Sequence, residues 1–146
     1  MELVVSVYLL AGVVAWASAQ LTKYVIASIK AKSLRQVNQL YLSGNMPSAH
    51  SATVLAVATM IGLVDGFDSG LFALAATFAA VVMYDAVMVR RSSGEQGAAL
   101  VAYFTQIKSK ILPPRVAKGH TPLEVLVGAV FGVSVALIVF FATTIS

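Results

Sequence analysis

The chain has no cysteine, only two histidines and very little charge: ten Lys and Arg and six Asp and Glu in 146 residues. Without cysteine there can be no disulfide, no thiolate zinc site and no cysteine nucleophile. Charged residues make up 11% of the chain, where an average soluble domain has about 25%. That deficit, with 59% apolar residues and a mean hydropathy of +0.88, excludes a disordered chain, a collagen-like chain and an ordinary soluble enzyme. The net charge of +4 is compatible with a nucleic-acid partner, but so apolar a chain makes membrane topology the first explanation, and no nucleic acid is expected. The length allows one domain, or about four membrane helices of roughly 20 residues each.

Four apolar blocks lack strand alternation and have lengths that suit helices. They predict transmembrane helices over about 3–29, 48–66, 70–89 and 121–143. The expected fold is all-α: a single membrane-embedded helical bundle of about four transmembrane helices, with one or two amphipathic helices at the interface. The interfacial candidates carry apolar stripes at Leu34, Val37 and Tyr41, and at Leu100, Phe104, Ile107 and Ile111. Residues 97–112 are open between an interfacial and a membrane-inserted position. Ala17-Ser18-Ala19 before Gln20 resembles a signal-peptidase site, but the only early charge is Glu2 and the basic n-region is missing.

The scarce charge is unevenly placed. The loop after the first block holds Lys23, Lys30, Lys32 and Arg35; the loop after the second holds Asp65 and Asp68 and no base. The loop after the third holds the remaining basic residues against one acid, Glu95. The positive-inside rule puts the two basic loops in the cytoplasm and both termini outside. A bacterial plasma membrane is the expected location, with an organelle membrane as the alternative.

Both histidines start apolar blocks on the predicted cytoplasmic side, where Arg90, Arg91 and Lys23 also fall. The combination suits a phosphate monoester. Arginine binds phosphate bidentately and lysine as a point charge, helix N-termini add N–H donors, and two imidazoles can divide attack on phosphorus and protonation of the leaving oxygen. Glu124, four residues after His120, shares its helix face and can orient the imidazole. Each residue also has a simpler explanation. Thr121-Pro122-Leu123-Glu124 is a capping sequence, Ser48 suits an N-cap, the arginines suit topology anchors, and Lys23 can snorkel. Asp85 lies inside an apolar block, where a carboxylate is costly. It reads either as functional or as the partner of Lys23 or an arginine. Gly128 and Gly132 form a GxxxG that permits close helix contact, within the monomer or in a homo-oligomer.

Three segments together resemble the type 2 phosphatidic acid phosphatase superfamily, which also contains the vanadium-dependent haloperoxidases, and most closely its short divergent branch. They are Met46-Pro47-Ser48-Ala49-His50-Ser51-Ala52, Val82-Met83-Tyr84-Asp85-Ala86 with Val89-Arg90-Arg91, and Gly119-His120-Thr121-Pro122-Leu123-Glu124-Val125. The resemblance runs from about Gln20 to Gly132. It implies hydrolysis of a lipid or isoprenoid phosphate or pyrophosphate without a metal or other cofactor, with vanadate as a phosphate-mimicking inhibitor. It implies a phosphohistidine at His120, leaving-group protonation by His50, orientation of His120 by Glu124, and phosphate contacts from Ser48, Lys23, Arg90 and Arg91. Ala49 stands where the superfamily has Gly, and Glu124 where it has Asp. The superfamily's arginine ahead of the nucleophile has a counterpart only in Arg115, one position out of register, which is the fallback phosphate ligand. A non-catalytic lipid-phosphate binder or transport-associated protein is the alternative.

Overall fold

The computed structural model describes residues 6–35, 46–114, 116 and 119–144. They form helices α1 (Val7–Ala31), α2 (Ala49–Asp65), α3 (Gly70–Tyr84), α4 (Arg90–Gln106) and α5 (Pro122–Thr144), with a π-helical turn, Asp85–Val89, between α3 and α4. No strand occurs among the described residues. Three helical stretches are long and apolar enough to cross a bilayer: Val7–Ala31, Gly70–Gln106 and Pro122–Thr144. The fourth, α2, is a shorter apolar helix of 17 residues, roughly 25 Å at 1.5 Å per residue.

The short helix is the centre of the bundle, packing on α1, α3 and α5. Its buried positions are mostly small: Ala49, Ser51, Ala52, Ala56, Ala58 and Gly62. In a bilayer, exclusion of water does not drive helices together, and close backbone approach through small residues takes its place. Gly132 of α5 lies directly on the backbone of Ala52, and Gly128 on that of Ser48; a β-carbon at either would collide. The GxxxG is therefore occupied within the monomer. The homo-oligomer face offered by Gly128 and Gly132 is not available, because α2 of the same chain already fills it. Above this contact Ala11, Ala15, Met60, Val135, Ala136 and Val139 form the apolar core. Large side chains such as Leu74, Phe78 and Ile138 point outward, as expected of a lipid-facing surface.

Three connections depart from the sequence pattern. α1 stops at Ala31, where Lys32 turns left-handed (φ 48°) and its amide bonds back to Ile29. Leu34 thus lies outside the helix, and Val37 and Tyr41 fall outside the described residues. α2 and α3 are joined by a tight turn closed by Ser69, whose hydroxyl donates to the Gly66 carbonyl and accepts from the Phe72 amide. The helix does not end at the basic residues after the third apolar block. It runs 37 residues in all, Gly70–Gln106, through the π turn. The stripe from Leu100 is helical only as far as Phe104, since Ile107 caps α4 and Lys108 has φ 50°. The chain then returns along α4, with Val116 against Gly97 and Gly119 against the Arg91 backbone.

Candidate functional site

The sequence candidates meet where α2 and α5 begin and the π turn ends. Backbone hydrogen bonds tie these three points together. The Ser48 amide donates to the Glu124 carbonyl at 3.2 Å, and the His120 amide donates to the Ala86 carbonyl at 3.0 Å. Gly119 makes the second tie possible, because any β-carbon there would collide with the Arg91 backbone.

Ser48 is fully buried and caps α2. Its Oγ accepts from the Ser51 amide (3.4 Å) and from the Ser51 hydroxyl (2.9 Å), so its own O–H remains a donor. The amides of the first turn of α2 have no acceptor within the helix and add a positive helix end. His50 lies in that turn and is exposed. The charges that act on it are those of Arg90, His120, Lys23 and Asp85. These four residues thus lie within electrostatic reach of His50.

His120 is buried, its side chain 4% exposed. Its Nδ1 lies 3.2 Å from Glu124 Oε2. With a carboxylate as partner, Nδ1 carries the proton, and Nε2 holds the lone pair. No hydrogen bond to another described residue engages Nε2. The same Oε2 accepts from the Thr121 amide (3.0 Å), and the Glu124 amide donates to Thr121 Oγ1 (3.3 Å). This is a reciprocal capping box at the start of α5.

The π turn determines where Arg90 points. In an α-helix, residues four apart stack; an i→i+5 turn stacks residues five apart. The Arg90 amide bonds to the Asp85 carbonyl in that pattern, and the Arg90 Nε meets Asp85 Oδ2 at 2.5 Å. The partner of Asp85 is therefore Arg90. The outer nitrogens of the guanidinium make no hydrogen bond to described residues, which leaves a fork of donors available to an anion. Arg91 behaves differently. It is exposed, pairs with Glu95 one turn along (3.2 Å), and is not among the charges acting on His50. It borders an open cavity of about 380 Å³ beside α4 that His120 also lines, with Ala98, Val116, Gly119 and Thr121 on its walls.

Lys23 is only 5% exposed and has no ion pair among the described residues. Arg115 lies outside the described residues. No three His, Asp or Glu side chains gather at metal-binding separation among the described residues. Three contributors stand in the quoted segments without a role expected of them: the Ala86 carbonyl, Gly119 and Ser51. Only Gly119, a glycine next to a candidate histidine, carried any signal.

These features define a multi-pass helical membrane protein with a cation-rich cluster at one end of its bundle. Residues 4–135 match the divergent PAP2 family, and the chain belongs to that family. It is 35% identical over 156 aligned positions to the uncharacterised membrane protein YuiD of Bacillus subtilis (strain 168), an alignment that covers 97% of this chain and 98% of that protein. No solved structure matches it.

Proposed function

We propose that the protein is a metal-independent membrane phosphatase that hydrolyses a lipid or isoprenoid phosphate or pyrophosphate at the cytoplasmic face. The observation that carries this is the charge around His50: the cations Arg90 and Lys23 act on it, and among the described residues Asp85 is the one acid that does. A dianionic phosphoryl group would complete such a cluster. It would take the free fork of Arg90, the Lys23 ammonium, the Ser48 hydroxyl and the first-turn amides of α2. Family membership supports the same class of chemistry.

In this mechanism His120 Nε2 attacks phosphorus. The bond from phosphorus to the alcohol oxygen breaks, and His50 gives that oxygen a proton. Water then attacks the phosphohistidine, His50 takes the water's proton, and inorganic phosphate leaves with His120 restored. Glu124 holds the imidazole in the tautomer that the first step needs. Haloperoxidase chemistry has no support here.

The test is phosphate release by detergent-purified protein from a panel of lipid phosphates and isoprenoid pyrophosphates, with trapping of the phosphoenzyme. The wild type should release phosphate and label, and His120→Ala should do neither. Full activity in His120→Ala would remove the proposed nucleophile. Tight vanadate binding with no turnover on any substrate would favour a lipid-phosphate binder.

A further inference from the structure

An apolar groove of about 240 Å³ runs between α1 and α2, walled by Leu9, Gly12, Val13 and Trp16 on one side and Thr53 and Val57 on the other. Nothing in the described chain covers it: Leu9, Val13 and Trp16 are 66%, 62% and 52% exposed. The Thr53 hydroxyl donates to the Ala49 carbonyl of its own helix at 2.7 Å, so the groove offers an occupant no free polar group from that residue.

Both walls lead to the cation cluster. Residues 9, 16 and 23 are seven apart, a spacing that drifts only about 20° per step around a helix. The α1 wall therefore continues from Leu9 and Trp16 to Lys23. Residues 50, 53 and 57 are spaced i, i+3, i+7 and share one face of α2, so that wall continues to His50. Ala19 of α1 packs on Ala49 and Ala52 of α2, holding the two helices in this register.

The chemistry proposed above decides what this groove would hold. Attack by His120 expels the alcohol from the opposite side of phosphorus, where His50 delivers the proton. The alcohol's chain then leaves past His50, along the α2 wall. We propose that the α1–α2 groove is the chain-binding site for the substrate, and that it takes one hydrocarbon chain of a long-chain phosphate ester. From Leu9 to Trp16 the groove is roughly 10 Å long at 1.5 Å per residue. A volume of about 240 Å³ over that length has the girth of a single extended chain. A prenyl ester places part of its one chain there, whereas a diacyl phosphatidate leaves its second chain outside.

This inference rests on the phosphatase reading, and the test separates the two. Oxygen exchange between ¹⁸O-water and inorganic phosphate uses the phosphate site, His120 and His50: phosphate loses one oxygen as water on forming the phosphohistidine and regains another from solvent. It involves no alcohol chain. Hydrolysis of farnesyl phosphate and of dioleoyl phosphatidate would be measured beside it in wild type, Leu9→Trp and Val13→Trp. Ile138→Trp on the outer face of α5 serves as control. Filling the groove should raise KM for farnesyl phosphate about tenfold or more through lost chain burial, raise that for phosphatidate less, and leave the exchange rate unchanged. Ile138→Trp should change neither.

An unchanged farnesyl phosphate KM in both groove variants would overturn the proposal, as would an equal loss of exchange and hydrolysis. A larger effect on phosphatidate would overturn the single-chain assignment. If the wild type neither exchanges nor hydrolyses, the phosphatase reading fails. Calorimetric binding of farnesyl phosphate and inorganic phosphate then decides the groove: only the former should weaken in Val13→Trp, and equal affinities in both proteins would reject it.

Discussion

A single oxygen of Glu124 serves both His120 and the start of α5: Oε2 lies 3.2 Å from the imidazole Nδ1 and 3.0 Å from the Thr121 amide. The capping and orienting explanations of Glu124 are therefore not alternatives. One carboxylate closes the helix and fixes the tautomer of the histidine just outside it.

The two roles separate by substitution. Glu124→Gln keeps a side-chain acceptor for the Thr121 amide, and glutamine is accepted in capping boxes, so thermal stability should hardly change. The charge facing Nδ1 is lost, and kcat should fall by orders of magnitude, up to about 10⁴-fold as when an imidazole's orienting carboxylate becomes an amide. Glu124→Ala should lose the same activity and also about 1 kcal/mol of stability from the broken cap. Equal activity in Glu124→Gln and wild type would reduce Glu124 to a cap.

Asp85 and Arg90 give a second separation. Asp85 is read as a positioning residue: it touches Arg90, and Arg90 would touch phosphate. Asp85→Ala should raise the inhibition constant for vanadate about tenfold, near one hydrogen bond to a charged group, with a smaller change in kcat. Arg90→Lys should not restore affinity, since an ammonium lacks the planar fork.

Arg90 and Arg91 are neighbours in sequence but not in environment. Arg90→Ala should weaken vanadate binding more than Arg91→Ala, whose guanidinium pairs with Glu95 on an exposed face. It should also weaken it more than Arg115→Ala. Inhibition titrations of the three variants check the order. If Arg115→Ala has the largest effect, the phosphate position moves to the fallback arginine.

Much of this is legible in the sequence. The apolar blocks gave the helical bundle, and Ser48 and Thr121-Pro122-Leu123-Glu124 marked two helix starts that carry histidines. The π turn was not legible, because no residue type requires it; at α-helical spacing, Asp85 and Arg90 appear on different faces. The Ala86 carbonyl was equally invisible, since backbone acceptors have no sequence signature. The basic run at Arg90-Arg91 marked where apolar character ends, which is not where the helix ends. The GxxxG was ambiguous because small residues permit close contact without naming the partner.

That last ambiguity yields a stability prediction. Gly132 rests on the Ala52 backbone within one chain, so Gly132→Leu should separate α5 from α2 and cost on the order of 1–3 kcal/mol as overpacking. Thermal denaturation in detergent measures the cost, and size-exclusion light scattering should show no change in oligomeric state. A dissociated oligomer with unchanged monomer stability would contradict the intramolecular assignment.

The absence of cysteine makes orientation directly measurable. Ser93 is exposed on α4, beyond the π turn, and Asp68 is exposed in the turn between α2 and α3. The chain has no cysteine of its own, so Ser93→Cys and Asp68→Cys each introduce a unique thiol. Under the positive-inside rule, an impermeant maleimide should label Ser93→Cys only from the cytoplasmic side and Asp68→Cys only from the other. The reverse pattern would place His50, His120 and Arg90 on the outer face. The proposed substrate would then be a phosphate ester of the outer leaflet.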